Sequence, residues 1–285
     1  MKKKIIAIAA VSTILIGGSA LTISANNDGY HLYKTALKNT HILKNAETSV
    51  ESSVKVNDET VSKIDMNAKY DLNLEKAQGT ANVSMMDTSE QFALTYQNKE
   101  IYIQNQDNNK TFLIKNDNET ENPHHDPELM NIAEKIFDTL TVPLHDDFKI
   151  NDNKISVELT NEDIPVVFRE IGQYIVKKGT AVHENATMST TEYPFLSEDL
   201  STSMPVLTDN IKIEKVKINA ELTKNNIIEN QTLYVKISGE DKDGKQHQIE
   251  LNTNIKVQNI NKTEINDVTF DESKVQEIEL KRVHH

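Results

Sequence analysis

Ile64-Asp65-Met66-Asn67-Ala68-Lys69-Tyr70-Asp71-Leu72-Asn73-Leu74 places an apolar side chain at every second position, six times running, with Asp, Asn or Lys between. A helix would scatter these apolar residues around its circumference, whereas an extended strand sends alternate side chains to opposite faces. The stretch predicts a long strand with one wet and one dry face, as in an antiparallel sheet covered on one side. Gly79 is expected in the following turn, and Ala81, Val83 and Met85 repeat the alternation. Phe92, Leu94 and Tyr96 predict the next strand, Ile101 with Ile103 another, and Phe112 with Ile114 another. The polar connectors Gln97-Asn98-Lys99 and 105–110 have hairpin length. Residues 50–116 therefore read as an antiparallel meander.

The last third of the chain returns to the same period. Ile211 and Ile213 alternate, then Val216, Ile218, Ala220 and Leu222 alternate in the opposite phase. The one-residue slip at Glu214-Lys215 predicts a bulge that bends the strand. Leu233, Val235 and Ile237 lead into the turn Glu240-Asp241-Lys242-Asp243-Gly244, and Ile249, Leu251, Thr253, Ile255 and Val257 lead out of it. Residues 267–278 are expected to add a short strand or helix.

Helical spacing appears elsewhere. Tyr30, Tyr33, Leu37 and His41 recur three to four apart over 30–43, with Lys34 and Lys38 expected to face away. After Asp126-Pro127-Glu128, the residues Leu129, Ile132, Ala133, Ile136, Phe137 and Leu140 predict a second helix. Ile155, Val157 and Leu159 form a strand pattern. Asn161 or Asp163 then caps a further helix with Pro165 in its first turn, a dry face of Val167, Phe168, Ile171 and Ile175, and Gly179 at its end. Residues 180–208 read as a long ordered loop or as a short helix near Ser197. Segregated helices and one-sided antiparallel strands make an α+β fold. We expect a long curved antiparallel sheet, a half-barrel, with helices packed in its concave face, built as a single domain over residues 26–285.

The chain opens with Met1-Lys2-Lys3-Lys4 and runs apolar from Ile5 to Ile23, the layout of an export signal. Cleavage after Ala25 yields a secreted protein. Retention leaves residues 5–23 as an N-terminal membrane anchor, the chain's only membrane contact, on the outer face of the cytoplasmic membrane. Either way residues from 26 onward are expected to be extracytoplasmic. Removing 1–25 takes three lysines and no acid, moving the net charge from −13 to −16. Such a charge argues against nucleic-acid partners and against adsorption to anionic polymers. No cysteine occurs, which excludes disulfides and a lipid-modified cysteine. That absence, with abundant Asn, Lys and Ile, points to a Gram-positive envelope.

The order helix, meander, helices and second strand set resembles the bacterial lipoprotein-carrier superfamily, the LolA-like and LppX-like half-barrels. So does the opening Tyr30-His31-Leu32-Tyr33-Lys34-Thr35-Ala36-Leu37, running into Ser49-Val50-Glu51-Ser52-Ser53-Val54. The likeness covers roughly residues 30–260. It implies binding of an acyl chain or other apolar ligand between sheet and helices.

Chemistry-bearing patterns are few. His124-His125-Asp126, with Glu121 and Glu128 nearby, reads as a solvated lead-in to a helix, because adjacent residues rarely point at one ion. His145-Asp146-Asp147 and His183-Glu184 are isolated groups on expected loops. Asp241-Lys242-Asp243-Gly244 opens like a calcium loop, but its twelfth position is Asn252, so a turn is the better reading. The chain has no Cys, no Gly-x-Ser-x-Gly elbow and no glycine cluster for phosphate. We therefore expect no enzyme, no cofactor and no metal. The remaining signal is the apolar face carrying Met66, Tyr70, Met85, Phe92, Leu94 and Tyr96, candidate lining for a deformable site that takes a lipid, another apolar ligand or an envelope protein. The alternative is a structural or interaction protein of the cell surface, for instance in sporulation, whose face is filled by its own side chains.

Overall fold

The computed structural model describes residues 29–114, 142–183, 187–188, 190, 193–197, 200–201 and 204–278. The N-terminal segment 1–25, the helix expected over 126–140 and the His124-His125-Asp126 group lie outside these residues. The first described element is helix α1 (Gly29–His41), followed by the meander β1 (Asn45–Val56), β2 (Glu59–Asp71), β3 (Lys76–Met85), β4 (Thr88–Gln97), β5 (Glu100–Asn105) and β6 (Lys110–Ile114). A 3-10 turn (Val142–Asp147) precedes the hairpin β7 (Lys149–Asn151) and β8 (Lys154–Thr160). Helix α2 (Val166–His183) and the two-residue strands β9 (Thr187–Met188) and β10 (Leu200–Ser201) come next. The chain continues with β11 (Asp209–Leu222), β12 (Ile228–Glu240), β13 (Gln246–Gln258) and β14 (Val275–Ile278).

Twelve of these strands form one open sheet in the order β14-β6-β5-β4-β3-β2-β1-β13-β12-β11-β8-β7. Every pairing is antiparallel except β14 with β6. The two halves of the chain join where β1 pairs with both β2 and β13, so the segments around 64–74 and 249–257 belong to the same surface. Residues directly opposite in an antiparallel ladder share a face. Ile155, Ala220, Gln231, Ile255, Val50, Met66, Ala81, Phe92 and Asn105 stand opposite one another in turn, tracing one row from β8 to β5. The bulge expected at Glu214-Lys215 is present as a register shift between Ile213 and Lys215. It brings Ile211 and Ile213 onto the same face as Val216, Ile218 and Ala220.

Turn chemistry agrees with the strand limits. Asn57-Asp58 and Asn98-Lys99 take positive φ (50° and 70°, 54° and 64°), as two-residue turns matched to the right-handed twist of the flanking strands require. At the 240–244 turn the Asp241 carboxylate accepts from the Asp243 and Lys245 amides at 2.9 and 3.0 Å and meets His247 Nε2 at 2.8 Å. Its oxygens serve the turn.

Several expectations are corrected. β2 ends at Asp71, and Leu72 and Leu74 sit in the following turn, 61% and 57% exposed, because Asp71 Oδ1 caps the Asn73 and Leu74 amides and stops the strand. Gly79 lies inside β3, where a Cβ would come 2.5 Å from the Asn67 carbonyl oxygen. Lys34 is buried on α1 instead of facing away, and Val167 is exposed rather than on the dry face of α2. Among the described side chains of α2, Phe168 and Val176 meet the sheet, and Gly172 closely approaches the Ile213 side chain; Ile171 and Ile175 lie outside those described. Gly179 does not end the helix, which continues to His183. Asp163 accepts from the Thr160 amide and hydroxyl, closing the turn ahead of the helix. Residues 193–197 form a turn, in keeping with the loop alternative for that stretch. No described helix is long and apolar enough to cross a membrane.

After β13 the chain crosses the polar face as a strap and ends in β14 against β6. Two amide side chains hold it as a strand partner would. Asn45 Nδ2 donates to Thr263 O and its Oδ1 accepts from Thr263 N, both at 2.9 Å. Gln97 Nε2 donates to Val268 O at 2.7 Å and its Oε1 accepts from Val268 N at 3.1 Å. Lys76 pairs with Asp267 at 2.6 Å, and Phe270 stacks on Tyr102 at 4.1 Å. Gln97→Ala removes both bonds to Val268. We predict faster hydrogen exchange at Val268 and along 275–278, with the amides of β1, β2 and β13 unchanged; equal loosening of those central strands would contradict the strap's local role.

Candidate functional site

The apolar face is covered differently at its two ends. At the β8–β11–β12 end, α1 lays Tyr33 and Ala36 against Ile155, Ala220, Leu222 and Ile228, with Leu32, Leu37 and Phe148 packed around them. The helix reaches this position because Gly29 leaves room for the Phe148 backbone and because Tyr30 stacks on His145 at 3.9 Å. His145 of the His145-Asp146-Asp147 group thus serves as a packing surface for the helix.

Toward β1 the helix and sheet part, leaving a cavity of about 220 Å³. Its walls are Leu37, Thr40 and His41 of α1, Thr48 and Val50 of β1, Tyr70 of β2, Ile228 and Gln231 of β12, and Ile255 and Val257 of β13. An apolar cavity of about 150 Å³ is enough to admit benzene. The exposed His41 marks the mouth. Thr40 is already engaged, donating to Ala36 O at 2.7 Å and accepting from Ile228 N at 2.8 Å.

Gln231 stands apart. It is 2% exposed, and its Oε1 accepts the Tyr33 hydroxyl at 3.1 Å. Its Nε2 is buried with no hydrogen-bond partner among the described residues. A buried donor left unpaired costs about 1–3 kcal/mol. Burial also holds the Tyr33 phenol well above its ordinary value of about 10, so the hydroxyl stays protonated and keeps donating.

At the β3–β4–β5 end the chain covers itself. Met85, Phe92, Ile103 and Leu196 form one buried cluster, with Leu94, Tyr193 and Phe195 packed against it. The segment 193–197 is clamped there by polar groups. Asn105 Nδ2 donates to Glu90 Oε2 at 2.6 Å, Phe195 O at 2.8 Å and Ser197 Oγ at 3.1 Å. Glu90 Oε1 accepts from the Ser197 amide at 2.7 Å, and Asn105 Oδ1 accepts from the Asp107 and Asn108 amides. Glu90 and Asn105 are both almost fully buried, and their network is closed.

All six residues singled out from the sequence, Met66, Tyr70, Met85, Phe92, Leu94 and Tyr96, fall on this one face. They do not converge on one site. Tyr70 lines the cavity, Met85, Phe92 and Leu94 lie under the 193–197 segment, and Met66 and Tyr96 are half-buried elsewhere on the face. Gln231, Glu90 and Asn105 were missed, although a signal was present. Each is a polar residue in the apolar phase of its strand, Gln231 in step with Leu233 and Val235, Glu90 with Phe92 and Leu94, Asn105 with Ile101 and Ile103. A second depression, about 420 Å³, lies on the polar face beside the strap, lined by groups such as Glu47, Asn67, Lys69, Gln78 and Glu264. Among the described residues no three His, Asp or Glu side chains converge as metal ligands.

No protein-family model matches the chain, and no curated protein matches it.

Two measurements check this site. Asn105→Ala opens the clamp network and leaves the Glu90 carboxylate short of donors, so stability to denaturant is expected to fall by about 2–3 kcal/mol with an unchanged m-value. Stability should also decline as pH rises past about 10, since the unfolded chain then loses the Tyr33 proton while the folded chain keeps it. Tyr70, Tyr102 and Tyr234 are raised as well, so Tyr33→Phe is expected to make the alkaline decline of the melting temperature shallower without abolishing it. An identical slope in that variant would show that Tyr33 is not the buried phenol described.

Proposed function

We propose that the protein is a non-enzymatic, extracytoplasmic binding protein that holds an apolar ligand between α1 and the apolar face of its sheet. The supporting observation is the cavity walled by Leu37, Val50, Tyr70, Ile228, Ile255 and Val257, an apolar pocket with an exposed mouth at His41. Burying apolar ligand surface there is favourable at roughly 25 cal/mol per Å². In this reading the open sheet curves into a half-barrel with its helices in the concavity, as in the lipoprotein-carrier superfamily that the sequence resembles. The volume suits the end of an acyl chain or a small apolar molecule rather than a whole lipid. An envelope protein that inserts one apolar side chain would use the same pocket.

A second reading is favoured by one specific observation. The end of the face carrying Met85 and Phe92 is filled by Leu196 and Phe195 of the chain itself, as expected of a structural or interaction protein of the cell surface. The two readings separate in one experiment. Protein recovered from its native envelope is examined by native mass spectrometry, and the binding reading expects a co-purified apolar molecule. Val50→Trp fills the cavity and is expected to lose that adduct, at an overpacking cost of about 1–3 kcal/mol. Clean, unliganded protein from the same envelope would turn the conclusion to the structural reading.

A further inference from the structure

We infer that the cavity under α1 selects ligands bearing a neutral acceptor oxygen, a ketone, ester or amide carbonyl, and that the Gln231 side-chain amide is the group that binds it. The inference rests on the binding reading above and adds the chemistry that the ligand must carry. Two amides occur in the row that crosses the apolar face, Gln231 and Asn105. Asn105 is fully engaged, with donors and acceptors on both its atoms. Gln231 is equally buried and in the same phase, yet only its oxygen is used. Unlike Asn105, it lines a cavity.

The orientation of the Gln231 amide follows from its neighbour. The Tyr33 hydroxyl is buried and needs an acceptor, and Oε1 supplies one at 3.1 Å. Rotating the amide by half a turn would leave the phenol proton without that acceptor and present an unpaired oxygen to the cavity. The arrangement that satisfies Tyr33 therefore leaves the N–H as the unpaired end of a side chain that lines the cavity, and an unpaired N–H calls for an acceptor. The acceptor must be neutral. No Lys, Arg or backbone nest lines the cavity, and the one imidazole among its walls, His41, is exposed at the mouth. A carboxylate drawn into these walls would lose its hydration without a charge to replace it. A carbonyl on an apolar body meets the site's two requirements together.

The test compares two probes of similar size, benzene and cyclohexanone, on the full chain by titration calorimetry. Benzene reads the apolar cavity alone; the ratio of the two affinities reads the amide. In Gln231→Met, which keeps the volume and removes the donor, cyclohexanone binding is expected to weaken about five- to tenfold relative to benzene, with benzene binding changed less than twofold. The double variant Tyr33→Phe/Gln231→Met removes both members of this buried pair, so neither is left without its partner; it guards against a folding defect and is expected to behave alike. In the unsubstituted protein the Gln231 side-chain amide protons should shift downfield with cyclohexanone and not with benzene. Benzene binding with an unchanged ratio and no amide shift would overturn the role of Gln231 while leaving the apolar cavity standing. Absence of benzene binding to the unsubstituted protein would overturn both.

Discussion

Twelve strands hydrogen-bonded in one sheet gather most of their apolar side chains on one face, and that face must be covered. The constraint arises from the pleat. Opposite residues in each ladder share a side, so a pattern of alternate hydrophobes in β2 is passed across β1 to β13 and onward to β8. A slip of one residue anywhere would turn the neighbouring strand's hydrophobes to solvent. The bulge between Ile213 and Lys215 absorbs the one place where the sequence changes phase. Because the sheet does not close on itself, its own side chains cannot fill the enclosed space as they would in a small barrel. Among the described residues, covering falls to α1, α2 and the segment 193–197.

The coverings differ in how they treat polar groups, and the difference distinguishes the two ends. At the meander end, Glu90 and Asn105 sit under the covering segment and bond to its backbone, so that polar specificity fixes one arrangement of the chain. At the α1 end the helix is positioned by apolar packing and by the stacked Tyr30–His145 pair, with Tyr33, Asn39 and Thr40 hydrogen-bonding to β12 and to the turn before it. A closed polar network resists opening, since each broken bond strands a buried group. Apolar contacts carry no such penalty and re-form against any apolar surface.

Much of this was legible in the sequence because period-two hydrophobicity is a long-range statement about faces. The β2 alternation, the phase slip in β11, the hairpin at 240–244 and the strand after it all follow from that one pattern. Strand ends were less legible: Leu72 and Leu74 continue the alternation numerically, but Asp71 captures two following amides and closes the strand first. Lys34 and Val167 were misplaced because helical spacing gives a direction around the axis and not the depth at which the helix seats. The cavity was only half legible. Tyr70 belongs to the pattern, whereas Gln231 carries its information by violating it, a polar residue where the phase calls for a hydrophobe.

The edges of the sheet complete the argument. An open sheet offers two unpaired ladders, which in isolation invite pairing with other chains. Here β14 is laid along β6 by a strap that Asn45 and Gln97 hold through backbone-like bonds, so one edge strand is supplied from the far end of the chain. The opposite edge, β7, is three residues long and begins with Lys149, too short to template a partner strand. Both devices leave the apolar face untouched. In the proposed reading, keeping the sheet open and protecting its edges separately is what allows a ligand to reach Val50, Ile255 and Gln231.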